Sequence, residues 1–312
     1  MIGLPALYTL AGLVFAGWAA ATLLDRQHPR RLRGAAFWGL IAASFLAGDA
    51  LGDMGNGVLV LALVGLALAG APGKGQPATS SSEDRAASAA ARGNRLFLPA
   101  LVMPGVALAG TFLLPRLGGL FDPKQVTLVS LGLGAMLAAA ALMAWTRPPA
   151  SAAVQEGRRL AENVGWAMLL PQLLASLGMV FGLAGVGDIV GSLAPLAIPD
   201  GSRLAAVVAF TGGMAIFTIL MGNAFAAFPV MMGGIGLPVL VLGLGANPVV
   251  VGAVGMLAGF CGTLLSPMAA NFNIVPAALL ELPDRHAVIR AQVGTALPLW
   301  LFNTALIWGF AF

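Results

Sequence analysis

The stretch GTLLSPMAANFNIVPAALLELP, residues 262–283, is apolar along most of its length. It nevertheless carries Ser266-Pro267, Asn271, Asn273 and Pro276 ahead of its first charge, Glu281. Two prolines and two amides in such a run need a reason, and the reason depends on the solvent. The chain of 312 residues is 59% hydrophobic and 9% charged, with a mean hydropathy of +0.93. A soluble domain carries about 25% charged residues. Several stretches reach the roughly 18–20 uncharged residues that span a bilayer. The expected class is therefore an all-α polytopic membrane protein. The period-two alternation that a β-barrel needs is absent from the sequence.

Working outward, residues 204–280 contain no Asp, Glu, Lys, Arg or His. Upstream, residues 2–24 are too long for a signal-peptide core and lack a basic start, so they are expected to stay as a first helix. The next loop, DRQHPRRLR, holds Arg26, Arg30, Arg31 and Arg33. Arginine bias places that loop in the cytoplasm and the N-terminus outside. Further crossings are expected over 34–53, 54–72, 96–114, 126–145 and 163–187, with Pro171 kinking the last. Residues 188–203 are too short and broken to cross, and read as an external excursion or shallow re-entrant loop. Residues 204–280 then fit three crossings of about 26 residues, with the surplus in broken helices or re-entrant hairpins. Residues 291–312 close a count of about ten, with both termini outside. All of the 16 Lys and Arg except Arg116, Lys124 and Arg203 then face the cytoplasm. His28 and His286 fall in the cytoplasmic loops, where a solvated role is expected.

Four segments follow from this reading. Residues 1–71 carry helices 1–3. Residues 72–95, PGKGQPATSSSEDRAASAAARGNR, read as a flexible cytoplasmic linker. Residues 96–162 carry helices 4–5 and a cytoplasmic loop. Residues 163–312 form a transport-site bundle with interrupted helices.

Backbone groups in hydrocarbon must be hydrogen-bonded within the protein. Proline removes a donor and disfavours helix in the residue before it. Ser266-Pro267 thus predicts an interrupted helix, which survives where it faces a cavity or buried protein. Asn271 and Asn273 would supply amide donors and acceptors beside the freed backbone. On a regular helix these two would point about 200° apart, so only an unwound segment lets them share a ligand. A second stretch, MGNAFAAFPVMMGGIGLP at 221–238, repeats the theme with Asn223 and Pro229. Paired interrupted segments are the sequence pointer to a transporter's midplane site. Asn223, Ser266, Asn271 and Asn273 are the expected substrate- or ion-binding residues, with Pro229, Pro267 and Pro276 as helix breaks. The alternative is that these amides and prolines serve helix packing.

Other classes find less support. GVGD at 185–188 matches the GxGD pattern of intramembrane aspartyl proteases, but such chemistry needs a second aspartate able to share a proton. Asp49 and Asp53 are the available partners, and both are expected near an outer helix end. No enzyme activity is expected. A chain with the single cysteine Cys261 builds neither an internal disulfide nor a cysteine metal cluster, and no resident cofactor or metal is expected. The pI near 10.2 reflects loop arginines rather than nucleic-acid binding. A non-transporting membrane anchor of a hetero-oligomer is the alternative function, although an anchor needs no polar breaks at membrane depth.

The stretches MGNAFAAFPVMMGGIG and CGTLLSPMAANFNIVPAALLELP resemble a bacterial family of membrane proteins, the larger subunit of a two-component 5-oxoproline transporter. The likeness extends along the whole chain. More remotely, both stretches are similar to the hairpin tips and broken helices of the ion-transporter superfamily, although its Ser-Asn-Thr tip triplet is absent here. The resemblance implies a bacterial inner-membrane protein, a shorter membrane partner subunit, and elevator-like secondary transport of a small carboxylate coupled to Na⁺ or H⁺. It implies roles for Asn223, Ser266, Asn271 and Asn273. The residues add a constraint. With no Lys or Arg in 204–280, a carboxylate there must be held by backbone N–H groups, helix N-termini and Asn, Ser or Thr. With no acid in that region to carry a proton, Na⁺ on backbone and amide oxygens is the simpler coupling ion.

Overall fold

The computed structural model describes the backbone of residues 2–75, 81–117, 119–199, 201–280, 282–284 and 286–312, and side chains other than those of residues 82, 171, 172, 175, 197, 271, 278 and 279. The described residues form helices joined by turns and loops, in two compact units, Met1–Gly165 and Trp166–Phe312. The all-α polytopic class expected from the sequence is the class observed. Among the described residues eight helical segments are long and apolar enough to cross a membrane, or nine when a bent pair around residues 184–185 is counted as one span.

The first unit begins with α1 (Leu4–Leu24) and α2 (Arg31–Leu68). Straight, the 38 residues of α2 would reach about 57 Å. They do not run straight. Ala47 and Gly52 leave helical geometry, Gly52 at φ 61° and ψ −177°. The amide of Asn56 donates to the carbonyls of Gly48 (2.8 Å) and Gly52 (2.9 Å), bonding groups that the break frees. The two ends of the run meet. Arg33 donates to the carbonyl of Ala69 at 3.0 Å and Arg30 to that of Gly70. A Cβ on Gly34 would lie 2.6 Å from the carbonyl oxygen of Pro72. The run is thus a hairpin of two antiparallel legs, in keeping with the separate crossings read at 34–53 and 54–72. Asp49 and Asp53 are exposed at its bend.

Helix α1 packs antiparallel to the first leg. Gly12 lets Leu46 approach, the Phe15 ring stacks on Phe45 at 5.6 Å, and Trp18 meets Trp38 edge-on at 5.6 Å. After α3 (Ser82–Arg92), α4 (Leu98–Leu113) and α5 (Val126–Thr146) form a second antiparallel pair. Here Gly110 faces Ser130, and Gly134 lies against the backbone of Met103. Helix α6 (Ala152–Val164) then returns to the loop between α1 and α2, where Arg158 pairs with Asp25 at 2.9 Å.

Two expectations change in this unit. Inside the stretch read as a flexible linker, Ser81 and Asp84 form a reciprocal capping box that starts α3. A Ser-x-x-Asp spacing was present in the sequence, and composition alone hid it. His28 is buried, 4% exposed, not solvated. The segment after α2 folds over it.

In the second unit, α7 (Leu170–Leu183) and α8 (Val186–Ala197) form the bent pair, at 69°. Pro171 does not kink a crossing. It sits in the first turn of α7, where the missing N–H costs no helical bond. Residues 188–203, read as an excursion or shallow re-entrant loop, fall largely in the second arm of this bent pair. Most of them extend α8, whose Gly187 and Gly191 pack against Gly234, the close approach that small residues permit. Asp188 lies in the exposed first turn of α8.

Helix α9 (Arg203–Met221) is followed by α10 (Ala224–Met231), which widens into a π-helix over Met232–Gly243. Pro238 and four glycines in that segment weaken the i→i−4 ladder and favour the wider turn. Helix α11 (Pro248–Leu265), a π-turn at Ala270–Ile274, α12 (Val275–Leu279) and α13 (Ala287–Phe310) complete the unit. Helix α13 packs along α9 and α11, with Thr304 hydrogen-bonded to Thr211 at 3.0 Å and Asn303 to the buried Cys261 at 3.5 Å.

The folded-back hairpin gives a labelling pattern. In a Cys261→Ala background, cysteines placed at Arg31 and at Lys74 should react with an impermeant thiol reagent from one side of the membrane. A cysteine at Asp53 should react from the other. Labelling of all three from the same side would show that α2 does not fold back across a bilayer.

Candidate functional site

Helix α10 and the π-helix run back along α9 as a hairpin whose tip is Gly222-Asn223. The Met231 methyl group covers Gly213, and the Phe210 ring covers Gly236. Gly222 ends α9 in the left-handed region at φ 78°, which a glycine adopts without penalty. Asn223 starts α10, its Oδ1 accepting the N–H of Phe225 at 2.7 Å.

Helix α11 lies parallel to α9. Three glycines make this possible. The Phe210 ring sits at Gly255, the Met214 methyl at Gly259, and the backbone of Ala215 at Gly262. A Cβ on Gly262 would be 2.3 Å from the Ala215 carbonyl oxygen. Because the two helices run the same way, their C-terminal ends arrive together. The Ser266 hydroxyl, ending α11, donates to the Ile219 carbonyl near the end of α9 at 2.7 Å and accepts the N–H of Met268 at 3.1 Å.

The two interrupted stretches therefore meet. A Cβ on Gly222 would lie 2.6 Å from the Met268 carbonyl oxygen. After Pro267 the chain turns back, and the amide of Asn273 donates to the carbonyls of Ser266 (2.7 Å) and Thr263 (3.1 Å), with a longer contact to Leu264 (3.5 Å). They lie at the end of α11, where i+4 donors run out; Thr263 and Ser266 also accept the N–H groups of Ser266 (3.2 Å) and Ala269 (3.3 Å). Asn273 is 1% exposed and Ser266 0%. The negative ends of α9 and α11 and the positive end of α10 thus converge in a region whose side chains carry no charge.

Beside this crossing is a cavity of about 30 Å³, lined by Asn223, Phe225, Phe260, Thr263, Ala270 and Phe272 among others. That is room for a water molecule or a monatomic ion. Asn223 is 8% exposed, and its NH₂ makes no hydrogen bond among the described residues. Two more polar atoms are orphaned nearby in the chain. Asn273 Oδ1 and Thr218 Oγ1 are both buried without a partner, and Thr218 Oγ1 faces Gly259 of α11. Buried polar atoms are ordinarily paired, so these two, with the unbonded NH₂ of Asn223 beside the cavity, mark a place where a ligand can bond.

The expected residues fare differently. Asn223, Ser266 and Asn273 come together at the crossing, Ser266 with both hydroxyl functions committed to backbone. The side chain of Asn271 lies outside the described residues. Pro267 sits at the break as expected. Pro229 lies inside α10, which runs on into the π-helix, and the break falls earlier, at Gly222-Asn223. Pro276 occupies the first turn of α12. Thr218, Gly222 and Thr263 went unread. The Met-Gly-Asn sequence at 221–223 is itself a helix stop followed by a helix start, and it was the available signal.

The chain belongs to the family described as "Protein of unknown function (DUF979)", which it matches over residues 5–312. No curated protein and no solved structure matches it.

Replacing Asn273 by alanine strips donors from at least two buried carbonyls. One lost buried partner costs about 1–3 kcal/mol, so Asn273→Ala should lower the thermal midpoint of the detergent-solubilised protein by several degrees. An unchanged midpoint would mean that the amide does not hold the end of α11.

Proposed function

We propose that this protein is the membrane subunit of a secondary transporter for a small carboxylate. 5-Oxoproline is the first candidate, through the family resemblance of its two interrupted stretches, and a shorter membrane protein is the expected partner. The observation that carries this reading is the meeting of the two interrupted segments at one buried polar crossing. Helix packing alone does not require two breaks to coincide. Each break exposes backbone groups that must be bonded again inside the protein, and transporters accept that penalty where substrate binds.

The N-terminus of α10 and the NH₂ of Asn223 are suited to a carboxylate, since unpaired N–H donors and the positive helix end favour an anion. The orphaned oxygens of Asn273 and Thr218, with the carbonyl ends of α9 and α11, suit a hard cation. Residues 204–280 offer no titratable carboxylate or imidazole, which supports Na⁺ over H⁺ within this chain. An anchoring subunit without transport would have no use for these groups.

Uptake into proteoliposomes, with a panel of carboxylates and with or without a Na⁺ gradient, tests the reading. The chain alone should be inactive and its co-reconstituted partner should restore uptake. Asn223→Ala should raise the half-saturating substrate concentration by roughly 5- to 150-fold, the factor for one lost buried hydrogen bond, at near-normal yield. Thr218→Val should raise the half-saturating Na⁺ concentration. Wild-type affinities in both variants, or the absence of any carboxylate uptake with the partner present, would refute the proposal.

A further inference from the structure

The first unit holds a buried ionic cluster that the transport site does not use. His28 stands in the turn between α1 and α2, its side chain 0% exposed, facing Glu162 of α6, 2% exposed, with Nε2 3.6 Å from Oε1. Arg158, also 2% exposed, places Nε 3.6 Å from the same Oε1 and Nη2 2.9 Å from Asp25. The other carboxylate oxygen of Glu162 accepts the N–H of Gly75 at 2.8 Å.

The imidazole sits in a cradle of glycines. A Cβ on Gly75 would lie 2.5 Å from its Cδ2, on Gly73 3.3 Å from Cε1, and on Gly34 3.5 Å from Cε1. Gly73 and Gly75 belong to the segment that follows α2, so this segment is wrapped over the ring. Arg30 and Arg33 hold its start at Gly70 and Ala69.

One hydrogen bond is made to the ring, while Nε2 and Glu162 Oε1 face each other without one. Nδ1 accepts the N–H of Arg30 at 3.1 Å. It therefore carries no proton, and the ring is the neutral form with its hydrogen on Nε2, toward Glu162. Arg158, Asp25 and Glu162 then sum to one negative charge, and a proton on His28 would bring the cluster to zero. That proton has to go on Nδ1, where it meets the N–H of Arg30 head-on. Arg30 offers a second group, its guanidinium, which faces Gly70 instead. Lys74, the remaining charge on the wrapped segment, is exposed.

We propose that His28, cradled by Gly34, Gly73 and Gly75 and facing Glu162, is a proton-binding site that latches the segment 69–75 onto the α1–α2 turn. In the neutral state the turn is closed through Arg30, and the Arg30 side chain reaches Gly70. Binding a proton at Nδ1 breaks the bond to the Arg30 N–H and releases the segment. Histidine is the side chain that changes charge between about pH 5 and 8, and a two-state packing element biased by one charge is a recognised kind of switch. The latch lies on the arginine-rich face, at the foot of the α2 hairpin.

Amide hydrogen exchange of the full chain in lipid nanodiscs, read by mass spectrometry at about pH 8 and about pH 5.5 and corrected for intrinsic rates, tests this. Protection of residues 69–75 should fall at the lower pH by about fivefold, the factor for one lost hydrogen bond, while α4 and α5 keep theirs. His28→Gln should abolish the pH response. Glu162→Gln, which removes the excess negative charge, should move the transition to lower pH. Equal protection at both pH values in the wild type, an undiminished response in His28→Gln, or an unmoved transition in Glu162→Gln would each overturn the proposal.

Discussion

A backbone N–H or C=O left unpaired in hydrocarbon costs several kcal/mol, and the second unit is organised around that penalty. Its chain breaks at Gly222-Asn223 and again after Leu265. At each break a short polar side chain takes over the missing bonds. Asn223 accepts from the start of α10, Ser266 bridges to α9, and Asn273 folds back onto the end of α11. The breaks are tolerable because they lie against each other, each shielding the backbone of the other. Glycines set the approach. Gly255, Gly259 and Gly262 bring α11 against α9 closely enough for the two helix ends to coincide.

The sequence revealed this in part. Prolines and amides inside an uncharged run mark a break, and two such runs mark a pair. That the pair meets is a property of parallel packing between α9 and α11, encoded in a glycine pattern that also fits ordinary bundle packing. Proline proved a poor locator. Pro171 and Pro276 begin helices, where a proline removes no helical bond, and Pro229 lies within α10 without ending it. The left-handed Gly222 and the capping Asn223 located the first break better.

In the first unit, the hairpin inside α2 was legible because two apolar stretches of crossing length abut at Asp53-Met54. The burial of His28 was not. An arginine-rich loop reads as solvated, and the partners that cover the ring, Gly73, Gly75, Arg158 and Glu162, come from segments far along the chain. Glu162 and Arg158 sit four apart on α6, a spacing that by itself indicates an exposed helical pair. Only the fold shows that this face of α6 turns inward onto the α1–α2 turn.

The meeting point of the two broken segments is the proposed cargo site. Ala270 lines the cavity there and is 4% exposed. A cysteine at this position, in a Cys261→Ala background and with the proposed partner co-reconstituted, reports on occupancy through its rate of reaction with a small methanethiosulfonate. A saturating transported carboxylate should slow that reaction several-fold, and carboxylates that are not transported should leave it unchanged. A rate indifferent to every transported carboxylate would place the cargo elsewhere and contradict the account.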